Sequence, residues 1–437
     1  MEMLQCGMAE LDITPPLGSS IPGYTEERKS NGIRDPLYAK AAVIQSGDTV
    51  LALVAIDALF VPEREANRIR ARVEAFTGIP AARTAVFATH THTGAPVRTG
   101  LDGSRHDDYL AYMADRAADA VLIAYNGREP ARIGWGAGHV QDVSFQRRYW
   151  MKDGTLRTNP GYMNPDIDRP AGPIDPELSV LSLDRLDGSP IGVVSCFACH
   201  TDTVGGKVYS GDYPAHLSAE LKEELGGQAV SLFLLGTCGD INHVDTSRPK
   251  MAARNIARDI GRRLAEEVLR VRTETAAATE AEADALNDFI TMELRTASAE
   301  EIERARSVLA DSRITGAERF FAEQVMKVSE LPGGTARLEV QALRIGGLAL
   351  ACLPGEIFVE LGLAVKAASP FPHTLVGTLC NGSIYGYVCT RAAYDQGGYE
   401  PRLKVFSRIS PGTGERLAEC VSGLLARLTD KRPSLRP

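Results

Sequence analysis

Residues 37–57 read LYAKAAVIQSGDTVLALVAID, and residues 84–94 read TAVFATHTHTG. The first stretch is two apolar arms, Leu37–Gln45 and Thr49–Asp57, around the polar Ser46-Gly47-Asp48. That pattern predicts a β-hairpin. Between the two stretches, Pro62 suits a first helical turn, Ile69, Val73 and Phe76 share one helical face, and Gly78 suits the end. The short apolar strand Thr84–Ala88 then delivers Thr89-His90-Thr91-His92. The unit is strand, turn, strand, helix, strand.

Working outward, the same unit recurs twice without close sequence repetition. Leu178–Arg185 and Pro190–Ala198 flank Leu186-Asp187-Gly188-Ser189. A helix from Pro214 with Leu217, Leu221 and Leu225 on one face follows, and Ala229–Leu235 leads into Gly236-Thr237-Cys238-Gly239-Asp240. In the third copy Ala336–Arg344 and Leu348–Leu353 flank Ile345-Gly346-Gly347, followed by a helix over Phe358–Ala368, a strand over His373–Leu379, and Asn381-Gly382-Ser383. Further helices are expected over Asp107–Asn126, Met251–Arg272 and Ala299–Lys327, and the Gly- and Pro-rich segment 153–174 reads as a long loop. The expected fold is mixed α/β: a mixed β-sheet core with flanking helices, built from three β-β-α-β units in a single catalytic domain spanning 1–437. Asp57, His200 and Glu356 end the returning hairpin strands, while His90/His92, Asp240 and the Asn381–Tyr387 segment end the later ones. Strand ends at one sheet edge are where such enzymes gather their chemistry.

Composition narrows the function. With 44% apolar and 24% charged residues and a net charge of −8, the chain has the make-up of a globular protein. No basic run points to nucleic acid or an anionic membrane. No stretch of 18 apolar residues predicts a membrane span. The N-terminus shows no export signal, so the eight cysteines are expected as reduced thiols and the location as cytoplasmic. A symmetric homodimer is the default assembly.

Along an extended chain, alternate residues share a face, so His90 and His92 point the same way. Both suit a metal, or one suits a metal and the other the substrate; a structural, hydrogen-bonded pair is the plain alternative. His200 closes Cys196-Phe197-Ala198-Cys199-His200, a formal match to a haem-attachment motif. Its position in an apolar run argues instead for two buried thiols and a third metal ligand in His200. Glu356, directly after an apolar strand, completes a nitrogen/oxygen set typical of catalytic zinc. Cys238 invites a nucleophile reading, although a small residue packed beneath the site is the better expectation. Arg147 could clamp a carboxylate or polarise a carbonyl, or form a surface ion pair. Ser46 and Ser383 have no nearby base, and no phosphate-binding loop motif is present.

Thr89-His90-Thr91-His92-Thr93-Gly94, Phe197-Ala198-Cys199-His200, Ser210-Gly211-Asp212-Tyr213, Gly239-Asp240-Ile241-Asn242, Pro354-Gly355-Glu356 and Tyr387…Tyr399-Glu400 occur in an order that resembles the neutral ceramidase family. The resemblance runs from about residue 5 to about residue 405. It implies a zinc-dependent amidohydrolase in which His90, His200, Glu356 and Tyr387 hold one zinc per chain. His92 and Tyr399 would face the scissile carbonyl, with Arg147 as the active-site arginine. Two departures stand out. Gly236 occupies the place of the family's serine, and the chain stops without the family's immunoglobulin-like C-terminal domain. Together they argue for a small polar amide rather than ceramide.

The mechanism expected is attack by metal-activated water, with zinc, His92 and Tyr399 stabilising the oxyanion, and His92 or Asp240 moving the proton. A metal-dependent esterase or lactonase on the same site, and a catalytically inactive small-molecule binder, are the alternatives. Manganese, iron or nickel would also suit mixed nitrogen/oxygen ligands.

Overall fold

A computed structural model describes residues 2–250, 255–382 and 386–429. Ser383, and residues 251–254 at the head of one expected helix, lie outside the described residues.

The first unit comprises β1 (Gln5–Asp12), β2 (Tyr38–Ser46), β3 (Thr49–Ile56), α1 (Glu63–Thr77), β4 (Thr84–Ala88) and α2 (Asp107–Asn126). The second comprises β5 (Glu129–His139), β6 (Glu177–Arg185), β7 (Pro190–Phe197), α3 (Asp212–Leu225), β8 (Val230–Leu235) and α4 (Ile256–Glu274). The third comprises β9 (Ala283–Glu293), α5 (Ala299–Ala310), α6 (Gly316–Ser329), β10 (Thr335–Ile345), β11 (Leu348–Cys352), α7 (Val359–Ala368), β12 (His373–Gly377) and α8 (Thr413–Thr429).

The pairing bears out the three-unit reading and extends it. β2 and β3, β6 and β7, and β10 and β11 are antiparallel hairpins. β3 with β4, β7 with β8, and β11 with β12 are parallel, each pair bridged by a helix. Each unit also carries one more antiparallel strand in front: β1 on β2, β5 on β6, and β9 on β10. Those leading strands have mixed burial and few consecutive apolar residues, so periodicity alone does not expose them. The first two units fuse through β1 and β5 into one sheet of order β8-β7-β6-β5-β1-β2-β3-β4, while the third forms its own sheet, β9-β10-β11-β12.

Burial shows how the layers stack. Leu51, Leu53, Ile133, Leu181, Val194 and Leu232 of the large sheet share one core with Leu343, Leu348, Leu350 and Leu375 of the small one. The other face of the large sheet packs on α1 to α4 through Ile69, Val73, Val121, Leu217 and Leu264. The outer face of the small sheet packs on α7 and α8 through Leu361, Val365, Leu417 and Leu424. The order is helices, sheet, sheet, helices. Strands buried on both faces read as continuous Ala/Val/Leu runs, as in the quoted stretch.

Three expectations change. Phe76 is 64% exposed, with the Arg72 guanidinium over its ring, so α1 buries only Ile69 and Val73 of the expected trio. The expected 299–327 helix breaks at residues 311–315 into α5 and α6, where Ser298 starts α5 with a capping box. The expected loop 153–174 contains strands Leu156–Thr158 and Ile167–Pro170, which flank Arg148–Met151 in a small antiparallel sheet. All eight cysteines are free. Among the described residues no helix is long and apolar enough to cross a membrane.

Candidate metal centre

Each parallel strand pair is followed by loops that carry the candidate residues, and short crosslinks fix those loops. Asp57, just past β3, accepts hydrogen bonds from the Tyr38 N–H and the Thr89 hydroxyl at 2.9 and 3.1 Å. Burial raises its carboxyl to about 6, with Lys40 opposing. It holds the turn that precedes His90 and is a positioning residue. His90 itself sits at φ +67°, a left-handed conformation a histidine adopts at a cost, held by its N–H to the Ala58 carbonyl at 2.9 Å.

His90 and His200 both have fixed rings. His90 Nδ1 lies 2.7 Å from the Leu59 carbonyl, and His200 Nδ1 lies 3.0 Å from the Cys238 carbonyl. A carbonyl only accepts, so each Nδ1 carries the proton and each Nε2 presents a lone pair. Those Nε2 atoms are 3.1 Å apart, and Glu356 Oε2 lies 3.4 Å from one and 3.5 Å from the other. Three buried acceptors therefore converge with no donor among the three, while Arg147 Nη1 approaches His200 Nε2 to 3.5 Å from outside the triangle. Tetrahedral zinc with ligand bonds of about 2.0–2.2 Å separates its ligand atoms by roughly 3.3 Å. The triangle has that size.

The charge states agree. Burial, then Arg147 and His90, hold His200 well below the usual imidazole range. Burial would raise the Glu356 carboxyl, but His90, His200 and Arg147 outweigh it and bring it to about 2. His200 is thus a neutral imidazole and Glu356 a carboxylate, the protonation a divalent metal requires of each.

His92 is the other member of the cluster. One ligand atom each from His90, His92 and His200 lie within 4.8 Å of one another, so these three histidines could also hold a metal. The His92 ring stands 5.0 Å from that of His90 and 5.5 Å from that of His200. Both of its ring nitrogens are buried without a hydrogen-bond partner, and burial, with His90, lowers its pKa to about 4. Unlike its neighbours it has no carbonyl fixing a tautomer.

Tyr387 reaches the site by strand pairing, Glu356–Ile357 running parallel to Tyr387–Val388 with Glu356 opposite Tyr387. Its phenol is held well above 10, by burial first and then by Glu356, so it is a neutral hydroxyl unless a cation lies close. Tyr399 packs edge-on against it at 5.7 Å. Arg147 is buried and not at the surface: Nε bonds Glu400 Oε1 at 2.8 Å, Nη2 bonds the Gly239 carbonyl at 2.7 Å, and the guanidinium lies 5.1 Å from the centre of the Tyr387 ring. Burial opposes its charge, but Tyr387, Glu400 and Glu356 hold it firmly protonated.

Asp240 takes a different place. Its Oδ1 accepts from the Val359 N–H at 2.9 Å and its Oδ2 from Gln146 at 3.0 Å, so both oxygens are engaged in fixing the start of α7 and the loop that carries Arg147. Cys238 contributes its carbonyl; its thiol is buried, which raises it well above 9. Cys199 is raised well above 9 and Cys196 to about 12, both by burial first, as expected for structural thiols. At Gly236 a Cβ would lie 2.9 Å from backbone atoms of Phe197 and Ala198, so the chain leaves no room there for a side chain. A Cβ on Gly239 would run into the Glu356 carbonyl; glycine is what lets the second and third units close on each other.

Three features were missed in the sequence. Glu400, fully buried, orients Arg147 and accepts from Thr158; its only sequence signal was its place beside Tyr399. Lys404 is fully buried against the rings of Tyr399 and Tyr387 and donates to the Tyr399 carbonyl at 3.0 Å. Asp202 pairs with His243 at 3.1 Å beside the histidine cluster, and only tertiary packing joins them.

Residues 4–212 match the family model of the N-terminal domain of neutral/alkaline non-lysosomal ceramidases. The neutral ceramidase of Pseudomonas aeruginosa is 26% identical over 211 residues, covering 45% of this chain and 30% of that protein. The crystal structure of neutral ceramidase from Pseudomonas aeruginosa superposes with a TM-score of 0.76 at 20% identity, over 100% of this chain and 76% of that one. The chain is ceramidase-like in sequence and in fold. A second structure, a ceramidase complexed with C2, gives a TM-score of 0.75 at 19% identity over 100% of this chain and 77% of that one. The ceramidase-like chain thus carries the resemblance through all three units in its fold. In sequence, the aligned stretch spans less than a third of the curated relative's length.

Proposed function

We propose that this ceramidase-like chain is a zinc-dependent amidohydrolase acting on a small polar amide rather than on ceramide. The observation that carries the reading is the convergence of His90 Nε2, His200 Nε2 and Glu356 Oε2 within 3.5 Å of one another, with no donor among them. His90, His200 and Glu356 would hold the metal, with the Tyr387 hydroxyl as the fourth ligand. Two nitrogens and hard oxygens favour zinc. A zinc ion held there lowers the pKa of a bound water toward about 7 and supplies the attacking hydroxide.

The chain's own residues do the rest. His92, with unpartnered nitrogens, is free to donate to the carbonyl oxygen as charge develops and to pass a proton to the leaving nitrogen. Tyr399, neutral and half-buried, offers a second donor to that oxygen, where one such donor is commonly worth roughly 3–4 kcal/mol. Arg147, clamped by Glu400, sets a fixed positive charge beside Tyr387 and Glu356. Asp240 holds the loops and takes no proton. The water oxygen bonds to the carbonyl carbon, the C–N bond breaks, and the amine departs with the proton. No side-chain nucleophile is required, which fits glycine at 236.

Elemental analysis of wild type beside His200→Ala tests the metal, and a panel of matched amides, esters and lactones tests the bond. About one zinc per chain, lost in the variant, with amides cleaved in preference, is the expected result. Absence of metal uptake would overturn the reading in favour of a small-molecule binder; preference for esters or lactones would replace the amidase.

A further inference from the structure

The loop that covers His92 carries an electrostatic imbalance. Tyr24 stands edge-on to the His92 ring at 5.5 Å, and a Cβ on Gly23 would lie 2.9 Å from His92 Nδ1. Arg28, only 7% exposed, lies 4.2 Å from the centre of the Tyr24 ring. Its donors meet carbonyls only: Gly206 at 2.9 Å, Pro22 at 2.8 Å and His92 at 2.6 Å, while Nε is buried without a partner. Arg98 makes one long hydrogen bond, from Nη2 to the Tyr24 carbonyl at 3.3 Å.

Among the described residues neither guanidinium forms an ion pair. The carboxylate in their field, Glu27, is committed elsewhere: Oε1 accepts from Ser20 at 2.6 Å and pairs with Lys29 at 3.4 Å, and Oε2 accepts from the Leu101 N–H at 2.6 Å. Two desolvated like charges therefore share the rim beyond His92. Burial first, and Arg98 in addition, push the Arg28 pKa down; burial also lowers that of Arg98, opposed by Glu27 and by Tyr399. A partly buried guanidinium that uses one of its five donors is an open site for a planar anion.

We propose that Arg98, backed by the charge of Arg28, receives a carboxylate of the substrate, so that the amide hydrolysed is anionic, of the N-acyl amino acid class. This rests on the hydrolase reading and specifies its substrate. Arg98 takes no part in the bond changes; it is a binding residue held at Tyr24, whose ring meets that of His92, and within the electrostatic reach of Tyr399.

The test uses the full chain loaded with zinc and two matched pairs: N-acetylglycine against N-acetylglycinamide, and succinamic acid against succinamide. In wild type the carboxylate member of at least one pair has the higher kcat/KM. In Arg98→Gln the ratio of carboxylate to neutral substrate falls roughly 10- to 100-fold, through KM, the range expected for a lost charged hydrogen bond. Arg98→Lys retains part of the ratio, and Arg105→Gln, an exposed arginine on the same loop, leaves it unchanged. Equal rates for both members in wild type, or an unaltered ratio in Arg98→Gln, would overturn the proposal. If zinc binds but neither pair is cleaved, the hydrolase reading fails separately, and calorimetric titration of the same pairs decides the subsite. Arg98-dependent preference for the carboxylate upholds it. Absence of preference, or inorganic phosphate binding with no acyl-carboxylate preference, replaces it with a free-anion site or none.

Discussion

Replacing Glu356 and His92 by glutamine, one at a time, separates the two ligand sets that the cluster offers. The triangle of His90, His200 and Glu356 has edges of 3.1, 3.4 and 3.5 Å and fixed histidine tautomers, whereas His92 has no tautomer-fixing partner. Zinc at a thousandfold excess over its Kd stabilises the fold by about 4.1 kcal/mol. At roughly 2.1 cal/mol/K per residue, 437 residues give an unfolding entropy of roughly 0.9 kcal/mol/K. The metal-dependent rise in Tm is then about 4–5 °C for one cooperative unit. A thousandfold weaker site in Glu356→Gln leaves about 0.4 kcal/mol at the same zinc concentration, a shift below about 1 °C. His92→Gln keeps most of the full shift while lowering kcat. Differential scanning fluorimetry with and without zinc, beside elemental analysis, reads both. If His92→Gln erases the shift and Glu356→Gln retains it, the three-histidine set is the ligand set and the assignment of His92 to the carbonyl fails.

Other outcomes follow from the same contacts. Glu339→Leu leaves the buried Arg70 guanidinium without its two-pronged partner at 2.7 and 2.8 Å, at a cost of about 3–5 kcal/mol, read as a lower urea midpoint. An unchanged midpoint would show that the tie between α1 and β10 is not structural. Cys238→Ala keeps most of the activity and resists no less to iodoacetamide, since the thiol is buried and raised; complete loss would restore the thiolate reading. Burial lowers the His243 pKa, but the Asp202 hydrogen bond and charge raise it overall. The pair's stabilisation is therefore full below the unfolded value of about 6.5 and is lost as pH rises through the higher folded value. His243→Gln should flatten the fall in Tm above about pH 6.5, and parallel Tm curves would reject the pairing as a source of stability.

The three recurring units were legible because they rest on local order. Hairpin turns with glycine, apolar arms and helical periodicity are written in consecutive residues, and β2, β3, β6, β7, β10 and β11 lie where those patterns put them. The leading strands β1, β5 and β9 were not, because their stability comes from a neighbour in the sheet and not from their own alternation. Likewise His90, His200 and Glu356 stood out as polar residues ending apolar strands. Glu400, Arg28 and Arg98 did not, since a charged residue in a loop reads as solvated until the fold removes the water.

By itself, then, the chain's order of residues determined the repeating unit and the strand-end positions of the metal-binding candidates. Tertiary structure alone decided that the first two units fuse while the third stacks on them, that Asp240 is spent on holding loops, that Cys238 serves through its carbonyl, and that Arg147 is buried against Glu400. The physical reason is one of range. Backbone turns and side-chain periodicity act over a few residues, whereas desolvation and the pairing of charges depend on what a distant segment brings within about 4 Å.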